Sequence, residues 1–344
     1  MPLFLSPLSL SIMDPPHFLG NFASPEPLNT DAVGSPKQIA YYSCFPGPTN
    51  EHEYQSRSAL KLYSPPIVPF SFIKAPDRAT WSNECDYLDS LSRPEVEPII
   101  ASCQRAGCTV DLQEADVIAK RGALVNLAVG KGDEYDVSFV DGKLHILRKS
   151  FEFRTEIKSS GPYYGDCFEK LCTRPMTPKP HGIFFSVVRR KIGGLNVIMA
   201  GEVDCSSSKG TEPDMEDYIE LKTVKKPDQR RPPGRSNELF PKWYMQSHLL
   251  GVQVLQIGYR DFKNRVFGIV RKPIKQLLRE AQKYAPSFDP AVDMGRVHAI
   301  ISALLVHFRG LGPSVSAQDR FVLRVDANGD AWITSDPDSP NLAA

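Results

Sequence analysis

Several features that mark other protein classes are missing from this chain of 344 residues. Its 41 basic and 40 acidic residues leave a net charge of +1, which excludes a globally basic nucleic-acid binder but permits a local basic groove. No uninterrupted run of about 18 apolar residues occurs, so we expect neither a membrane span nor a membrane partner. The seven cysteines form no C-x-x-C pair and the seven histidines are scattered. Disulfide frameworks and zinc sites are therefore disfavoured, and a reducing compartment, cytosol or nucleus, is favoured.

Proline is concentrated at the N-terminal end. Residues 1–36 combine this composition with no sustained periodicity, so we expect a disordered, proline-rich tail there. The first thirteen residues are apolar but lack a basic segment and include Pro2 and Pro7, which favours an unstructured leader over a signal peptide. Residues 37–340 are expected to form a single domain.

Strand and helix patterns alternate in a mixed order from residue 39 onward. Asp141-Gly142, Gly193-Gly194 and Asn328-Gly329 are tight-hairpin signals between strand-like runs. The expected strands are 39–44, 135–140, 144–148, 184–190, 195–204, 218–224, 252–259, 265–270, 321–325 and 331–334. The expected helices are 111–128, 164–171, 241–250, 272–284 and 293–308. This order predicts an α/β or α+β fold with one mixed central β-sheet flanked by helices.

The most informative feature is a pair of short acidic motifs in consecutive predicted strands. The motif Glu202-Val203-Asp204 ends one strand, and Glu220-Leu221-Lys222 lies in the next. The first and third residues of each motif share a face of their strand, so each pair of charged side chains converges. Three carboxylates drawn together repel one another and favour protonation unless a cation compensates. Hard oxygen ligands at this density suit Mg²⁺ or Mn²⁺.

Either motif alone is ordinary on a solvated strand face, because short motif matches carry a high false-positive risk. Their succession favours a metal site over that interpretation. A lysine two residues beyond a metal-binding glutamate can orient the attacking water or neutralise charge developing on a phosphate. The residues therefore predict metal-assisted phosphodiester hydrolysis, with the catalytic set Glu202, Asp204, Glu220 and Lys222.

Other positions are weaker candidates. Glu169 lies near the start of a predicted helix, where a glutamate can simply complement the helix dipole. Arg121 could grip a phosphate bidentately, although a lone arginine is usually a surface residue. Gln246 is polar within a largely apolar helix and could instead cap a carbonyl or face solvent. The basic residues of 222–235 predict either a solvated loop or an electrostatic track for a polyanion, which 189–191 could extend.

In chain order these motifs resemble those of the DXO-type family of RNA 5′-end decapping nucleases, which includes the fungal partner of the nuclear Rat 5′-3′ exonuclease. The family pattern is an Arg-Gly motif, G-Φ-x-Φ-E (Φ apolar), E-Φ-D, E-Φ-K and a downstream glutamine. Two positions depart from it: Asp166 stands where an apolar residue is usual, and Lys120 replaces the usual aromatic residue before Arg-Gly. The matching residues are Arg121-Gly122, Gly165-Asp166-Cys167-Phe168-Glu169, Glu202-Val203-Asp204, Glu220-Leu221-Lys222 and Gln246.

The resemblance implies a PD-(D/E)xK nuclease fold, with a mixed sheet flanked by helices and the active site in a deep cleft. It implies one or two divalent cations, Mg²⁺ or Mn²⁺, held by Glu169, Glu202, Asp204, Glu220 and the main-chain carbonyl of Leu221. It also implies that the substrate contacts Arg121, Gly122, Ser186, Glu202, Lys222 and Gln246.

The function implied by the resemblance is removal of NAD caps, as the whole NAD moiety, and of incomplete or unmethylated guanosine caps in RNA 5′-end quality control. Pyrophosphohydrolase activity on 5′-triphosphate ends and 5′-3′ exoribonuclease activity would accompany it. The same relatives imply a nuclear location, a nuclear 5′-3′ exoribonuclease partner, and one decapping nuclease domain over 37–340. Two other interpretations stay open: a DNA-directed nuclease of the same fold, and a mainly non-catalytic subunit that stabilises the exonuclease.

Overall fold

The computed structural model describes residues 15–29, 32–45, 50–72, 96–130, 132–149, 161–177, 182–208, 214–226, 236–312, 315–316 and 318–336. Over these residues the chain forms strands and α-helices in mixed order. The helices are α1 (Glu97–Arg105), α2 (Thr109–Glu114), α3 (Arg121–Ala128), α4 (Gly161–Cys172), α5 (Ser236–Leu250), α6 (Ile274–Tyr284) and α7 (Pro290–Leu311).

The strands are numbered in chain order. They are β1 (His17–Asn21), β2 (Lys37–Phe45), β3 (Glu51–Tyr54), β4 (Lys61–Tyr63), β5 (Phe70–Ser71), β6 (Val117–Lys120), β7 (Asp133–Val140), β8 (Lys143–Arg148), β9 (Thr173–Pro175), β10 (Ile183–Ile192), β11 (Leu195–Glu202), β12 (Cys205–Ser206), β13 (Tyr218–Lys225), β14 (Val254–Arg260), β15 (Arg265–Pro273), β16 (Phe321–Val325) and β17 (Asp330–Ser335).

The strands divide between two mixed sheets. The larger has ten strands in the order β1-β17-β16-β7-β8-β6-β11-β10-β2-β3, with β6 parallel to both β8 and β11. The smaller has seven in the order β5-β15-β14-β13-β12-β4-β9, with β13 parallel to β14. This confirms the predicted mixed α/β class, although the strands form two sheets where one central sheet was expected, and the two acidic motifs lie in different sheets. The chain leaves the larger sheet after Glu202 and enters the smaller one at Cys205.

Helices cover both faces of each sheet. The main core joins the two sheets with side chains from α3, α5, α6 and α7, and a second cluster packs α1 on the opposite face of the larger sheet. A third cluster packs Phe168 of α4 against Leu221 of β13. In the middle of the larger sheet, 197–200 of β11 are buried on both faces, with at most 1% exposure. Such strands therefore appear in the sequence as continuous apolar runs.

Most predicted elements occur within a few residues of their expected bounds, but the helix expected over 111–128 is wrong. The chain forms α2, then strand β6, and only then α3. Residues 117–119 are fully buried between β8 and β11. A short apolar run in the centre of a parallel sheet satisfies helical spacing as well as strand spacing, which explains the error.

The expected disordered tail over 1–36 is wrong for the part that the structure describes. Strand β1 pairs antiparallel with β17 at the edge of the larger sheet. Its Phe18 ring lies 5.7 Å from the ring of Trp332, and His17 stacks on His307 of α7 at 4.6 Å. The five-residue strand has an irregular register between Phe18 and Gly20, so no alternation marks it in the sequence. Residues 1–14 lie outside the described residues.

Helix α7 is long and apolar enough to cross a membrane by length and composition alone, although the sequence predicted no such segment. Its apolar side chains pack within the main core. Among them are Met294, Val297, Ile300, Ile301, Leu304 and Phe308, each at most 1% exposed. This packing is typical of the core helix of a globular protein.

Candidate metal centre

Three carboxylates from three different segments meet where the two sheets approach each other. Glu169 comes from α4, Glu202 from the end of β11, and Asp204 from the link to β12, and their oxygens lie within 4.8 Å of one another. The ring of Phe168 packs α4 directly against Gly258 of β14. Only a residue without a side chain fits there, because a Cβ at Gly258 would overlap the ring. This close approach brings the neighbouring Glu169 to the end of the other sheet.

Burial and neighbouring charges disfavour the ionised forms of Asp204 and Glu169. Burial, followed by the charge of Glu220, raises the pKa of Asp204 from 3.8 to about 7. Burial, followed by the charge of Asp204, raises the pKa of Glu169 well above 4.5. A divalent cation would remove this repulsion and displace the protons. The set of three carboxylates therefore fits Mg²⁺ or Mn²⁺.

Glu220, predicted to share the same ion, lies beside the three acids and not among them. Its Oε1 is 2.7 Å from Lys222 Nζ and its Oε2 is 3.1 Å from the Arg121 guanidinium. Burial alone would raise the pKa of Glu220, but Arg121 and Lys222 lower it to about 2. The two cations therefore favour the ionised form of Glu220, which lies between them.

Lys222 joins Glu220 to the three acids. Its ammonium lies 3.5 Å from Asp204 Oδ2 as well as beside Glu220. Burial would lower the pKa of Lys222, but Asp204 and Glu220 raise it above its usual value. The same oxygen, Asp204 Oδ2, also accepts a hydrogen bond from the main-chain N–H of Leu221 at 2.6 Å. That bond fixes the Leu221 peptide beside the carboxylates; its carbonyl as a ligand stays a prediction.

Arg121 begins α3 and packs directly over β11. It is 8% exposed, and a Cβ built on Gly201 would lie 2.9 Å from Arg121 Cδ and from Leu250 Cδ1. Only a glycine before Glu202 therefore lets this guanidinium reach Glu220. The adjacent Gly122 faces open space, with no atom within 4 Å of a Cβ built there.

Gln246 lies on the face of α5 that points towards the site. It is one helical turn before Leu250, whose side chain contacts the position of Gly201. Its Oε1 is buried and has no hydrogen-bond partner among the described residues. Buried polar atoms are nearly always satisfied, so an unpaired acceptor here fits a water or ligand donor.

Ser186 lies behind the site and away from its surface. It is fully buried on β10 opposite Gly201, and its Oγ accepts a hydrogen bond from Gln38 Nε2 at 3.1 Å. Gln38 also donates to Tyr218 Oη. Ser186 therefore belongs to a polar network between β2, β10 and β13, and direct substrate contact through Ser186 stays a prediction.

Lys120 lies near the site, a position that the sequence analysis did not predict. It ends β6, and its Nζ donates to Tyr42 Oη at 2.8 Å and lies 4.4 Å from the ring centroid of Phe185. Phe185 pairs directly with Glu202, so the ammonium stands on the Glu202 side of the larger sheet. Strand alternation across 117–120 would have placed it there, had those residues been assigned to a strand.

The other departure from the family pattern lies on the surface. Asp166 makes an i,i+4 ion pair with Lys170 at 2.9 Å on α4, and its side chain is 36% exposed. The polar residue is accommodated because this part of α4 faces outward. The basic track expected along 222–235 is described only to Lys226, and Arg189 and Arg190 do not extend it. Arg189 pairs with Asp111, and Arg190 is buried against His248.

Comparisons with known proteins agree with this geometry. A family model described as RAI1 like PD-(D/E)XK nuclease matches residues 34–334. The decapping nuclease RAI1 of Yarrowia lipolytica is 26% identical over 272 residues, covering 68% of this chain and 73% of that protein. The human decapping and exoribonuclease protein is 31% identical over 155 residues, covering 41% of this chain and 38% of that protein.

Solved structures show the same fold. Rai1 of S. pombe, in complex with 3′-FADP, has a TM-score of 0.67 at 19% identity, covering 93% of this chain and 99% of that one. Rai1 of Candida albicans, in complex with pU5-Mn²⁺, has a TM-score of 0.68 at 16% identity, covering 95% and 94%. Rai1 of Scheffersomyces stipitis, in complex with (3′-NADP)⁺ and calcium, has a TM-score of 0.68 at 17% identity, covering 93% of both chains.

Proposed function

Because this chain belongs to the RAI1-like PD-(D/E)XK nuclease family and is a divalent-metal-dependent decapping nuclease, we propose that it removes NAD caps as the whole NAD moiety. Incomplete or unmethylated guanosine caps are the second proposed substrate. Relatives of the same fold support this choice, since one structure holds 3′-FADP, one holds (3′-NADP)⁺ with calcium, and one holds pU5 with Mn²⁺. These ligands are dinucleotides joined through a pyrophosphate, or an RNA with a 5′ phosphate.

The observation that carries the proposal is the meeting of Glu169, Glu202 and Asp204 within 4.8 Å. These acids would hold one or two Mg²⁺ or Mn²⁺ ions, with the Leu221 carbonyl and Glu220 completing the surroundings. When bound, the cation supplies an activated water and neutralises charge on the leaving oxygen. Clustered buried carboxylates cost stability when unpaired, so a non-catalytic subunit would gain nothing from keeping them.

The chain's own side chains position the phosphate and the water. Lys222, held beside Asp204, offers its remaining N–H donor to the scissile phosphate or to the attacking water. Gln246 offers an unpaired Oε1 to a water proton. Arg121 reaches Glu220 through NH1 only, which leaves other guanidinium donors for a neighbouring phosphate. Water attacks phosphorus and gives up a proton to solvent or to a site carboxylate, while the bond to the leaving oxygen breaks and that oxygen takes up a proton from solvent.

The direct test is NAD release from NAD-capped RNA with Mg²⁺. The wild-type chain is expected to release intact NAD and 5′-phosphorylated RNA, and Glu202→Gln to lose about a hundredfold or more in rate, since removing a group that stabilises transition-state charge has effects of this size. Asp166→Asn, on the exposed face of α4, is the control and should keep full rate. Absence of NAD release by the wild-type protein, or equal release by Glu202→Gln, would contradict the proposal.

The remaining activities follow from the same site. We propose 5′-triphosphate pyrophosphohydrolase activity, in which water breaks the α–β phosphoanhydride bond, and 5′-3′ exoribonuclease activity, in which water breaks the first internucleotide phosphodiester bond. We also propose a nuclear location, in RNA 5′-end quality control with a 5′-3′ exoribonuclease partner. Incubation with 5′-triphosphate and 5′-monophosphate RNA, and comparison with the same DNA sequences, measures each activity. Release of pyrophosphate or mononucleotides from RNA alone is expected.

A further inference from the structure

The hairpin formed by β14 and β15 carries two aromatic side chains into solvent. Phe262 at its turn is 81% exposed and Phe267 on β15 is 38% exposed. Phe267 is the extra residue of a β-bulge, since Tyr259 pairs with Gly268 and Arg260 with Val266. Bulges re-aim side chains at sheet edges. Two exposed aromatic side chains on one hairpin therefore form a candidate interaction surface.

Cations stand beside both rings. Lys226, directly after β13, has its Nζ 5.4 Å from the Phe267 ring centroid, and Lys263 has its Nζ 5.9 Å from that of Phe262. Five of residues 260–272 are basic and one is acidic. The single acid, Asp261, is used within the turn, where it pairs with Arg265 and accepts from the main-chain N–H groups of residues 263 and 265. We call Lys226, Phe262, Lys263, Arg265 and Phe267 the hairpin platform.

The hairpin platform is continuous with the metal centre through two rigid elements. Strand β13 carries Lys222 at the site, and Lys226 lies four residues later, about 13 Å along an extended chain. On the other side, Tyr164 of α4 accepts a hydrogen bond from Asn264 Nδ2 at 2.9 Å and stacks under Arg260. Glu169 follows Tyr164 by five residues, about 7.5 Å of helix. The platform therefore adjoins the two elements that carry Lys222 and Glu169.

We propose that the hairpin platform binds the single-stranded RNA body that lies 3′ of the scissile phosphate, an inference that rests on the proposed function. Bases would stack on Phe262 and Phe267, and backbone phosphates would contact Lys226, Lys263 and Arg265. Alternating rings and cations with the acid withdrawn into the turn suit a polyanion with planar bases. Stacking on exposed rings does not depend on base identity, so binding would be independent of sequence.

The test compares a two-nucleotide with a twelve-nucleotide 5′-phosphorylated RNA, both labelled at the 3′ end. Binding is measured by fluorescence anisotropy in EDTA, so the result does not depend on hydrolysis or on whether the proposed decapping activity exists. The wild-type protein should bind the longer RNA more tightly. Phe262→Ala should weaken that binding about tenfold, given the usual contribution of one base–aromatic stack, and leave the short RNA unchanged.

Val306→Ala, an apolar truncation on α7 at a residue that is also highly exposed (72%), is the control and should change neither affinity. Lys263→Ala should reduce the slope of log affinity against log salt by about 0.7, the value for one phosphate contact on a single strand. Equal affinities of wild type and Phe262→Ala for the twelve-nucleotide RNA would overturn the proposal. A surface used by a protein partner would give that result. Loss of binding to both RNAs alike would also overturn it.

Discussion

Asp204 connects the group of three carboxylates to Leu221 and Lys222 of β13. It accepts the Leu221 N–H, lies beside Lys222, and shares its surroundings with Glu169 and Glu202. Without a cation this concentration of charge is unfavourable, and the raised pKa of Asp204 and Glu169 expresses that cost. Single side chains should therefore affect stability and metal binding in opposite directions.

Replacing Glu169 by glutamine should stabilise the metal-free protein. The change removes one half-buried charge that desolvation and Asp204 disfavour, so we expect a rise in the unfolding midpoint of roughly 1–2 °C at pH 7.5. Because the folded-state pKa of Glu169 lies above 4.5, the metal-free wild type should lose stability as pH rises from there, and the variant should lose less. Thermal unfolding in EDTA measures both.

The same variant should lose the stabilisation that Mn²⁺ or Mg²⁺ gives the wild type, since one of three carboxylate ligands is gone. Asp166→Asn, three residues earlier on the same helix, is the matched control and should keep the full metal-dependent shift. A Glu169→Gln protein that is less stable in EDTA, or that keeps the metal-dependent shift, would contradict the charge-repulsion account.

Gly201→Ala tests the close packing of Arg121. The new Cβ would lie 2.9 Å from Arg121 Cδ, so the guanidinium must move away from Glu220. We expect a loss of about 1–3 kcal/mol in unfolding free energy, typical of overpacking, and about a tenfold or greater loss of hydrolysis rate. Gly310→Ala, whose Cβ would meet open space near the end of α7, should stabilise slightly and keep activity. Wild-type rates in Gly201→Ala would show that the Arg121–Glu220 contact is dispensable.

At the scale of elements, long and strongly patterned segments were predictable and context-dependent ones were not. The β10–β11 hairpin, β13, α4 and the helices after residue 236 follow from alternation, Gly-Gly and capping signals in the sequence. Strand β6 did not, because a buried parallel strand and a helix share the pattern of Val117, Ile118 and Ala119. Strand β1 did not, because its pairing partner is about 310 residues away and only tertiary contact defines it.

The sequence likewise predicted some features of the candidate site and not others. Sequence motifs selected Glu169, Glu202 and Asp204, and the structure brings them together. Motif spacing did not show that Glu220 is held by Arg121 and Lys222 outside that group, because the two acidic motifs belong to different sheets. The burial of Ser186 likewise depends on Gln38, a residue with no motif of its own.

Arg190 of β10 hydrogen-bonds His248 of α5, and we expect low pH to weaken this contact. Arg190 donates to the His248 carbonyl, and its NH2 lies 2.9 Å from His248 Nε2. Burial, then the charge of Arg190, lowers the pKa of His248 from 6.5 to about 3. The neutral ring thus contributes stability that is full above pH 6.5 and is lost as pH falls towards 3.

His248→Gln should therefore be less sensitive to acid than the wild type. Between pH 6.5 and 5 the wild type should lose up to about 1.4 kcal/mol per pH unit more in unfolding free energy than the variant. Urea denaturation at a series of pH values measures the difference. Parallel pH profiles for the two proteins would mean that His248 is not held neutral in the fold.

At the scale of the whole molecule, the two sheets and their helices are closed at one edge by the N-terminal segment. Arg296 of α7 donates to the carbonyl oxygens of Phe22 and Ala23, and Phe22 N–H donates to Gly329 O. Deleting residues 1–23 should lower unfolding free energy by about 2–3 kcal/mol, from roughly 0.5–1.5 kcal/mol per lost hydrogen bond. Deletion of residues 1–14 removes none of these contacts and is the control. Equal stability of the two deletions in urea would contradict this closing role.

We expect acids from α4, β11 and the link to β12 to share one divalent centre where the two sheets meet. Anomalous diffraction at the manganese edge, from crystals grown with Mn²⁺, tests it most directly. We expect a peak within bonding distance of carboxylate oxygens from Glu169, Glu202 and Asp204, and loss of that peak in Glu202→Gln crystals. A manganese peak elsewhere on the molecule, with none between these three side chains, would contradict the account.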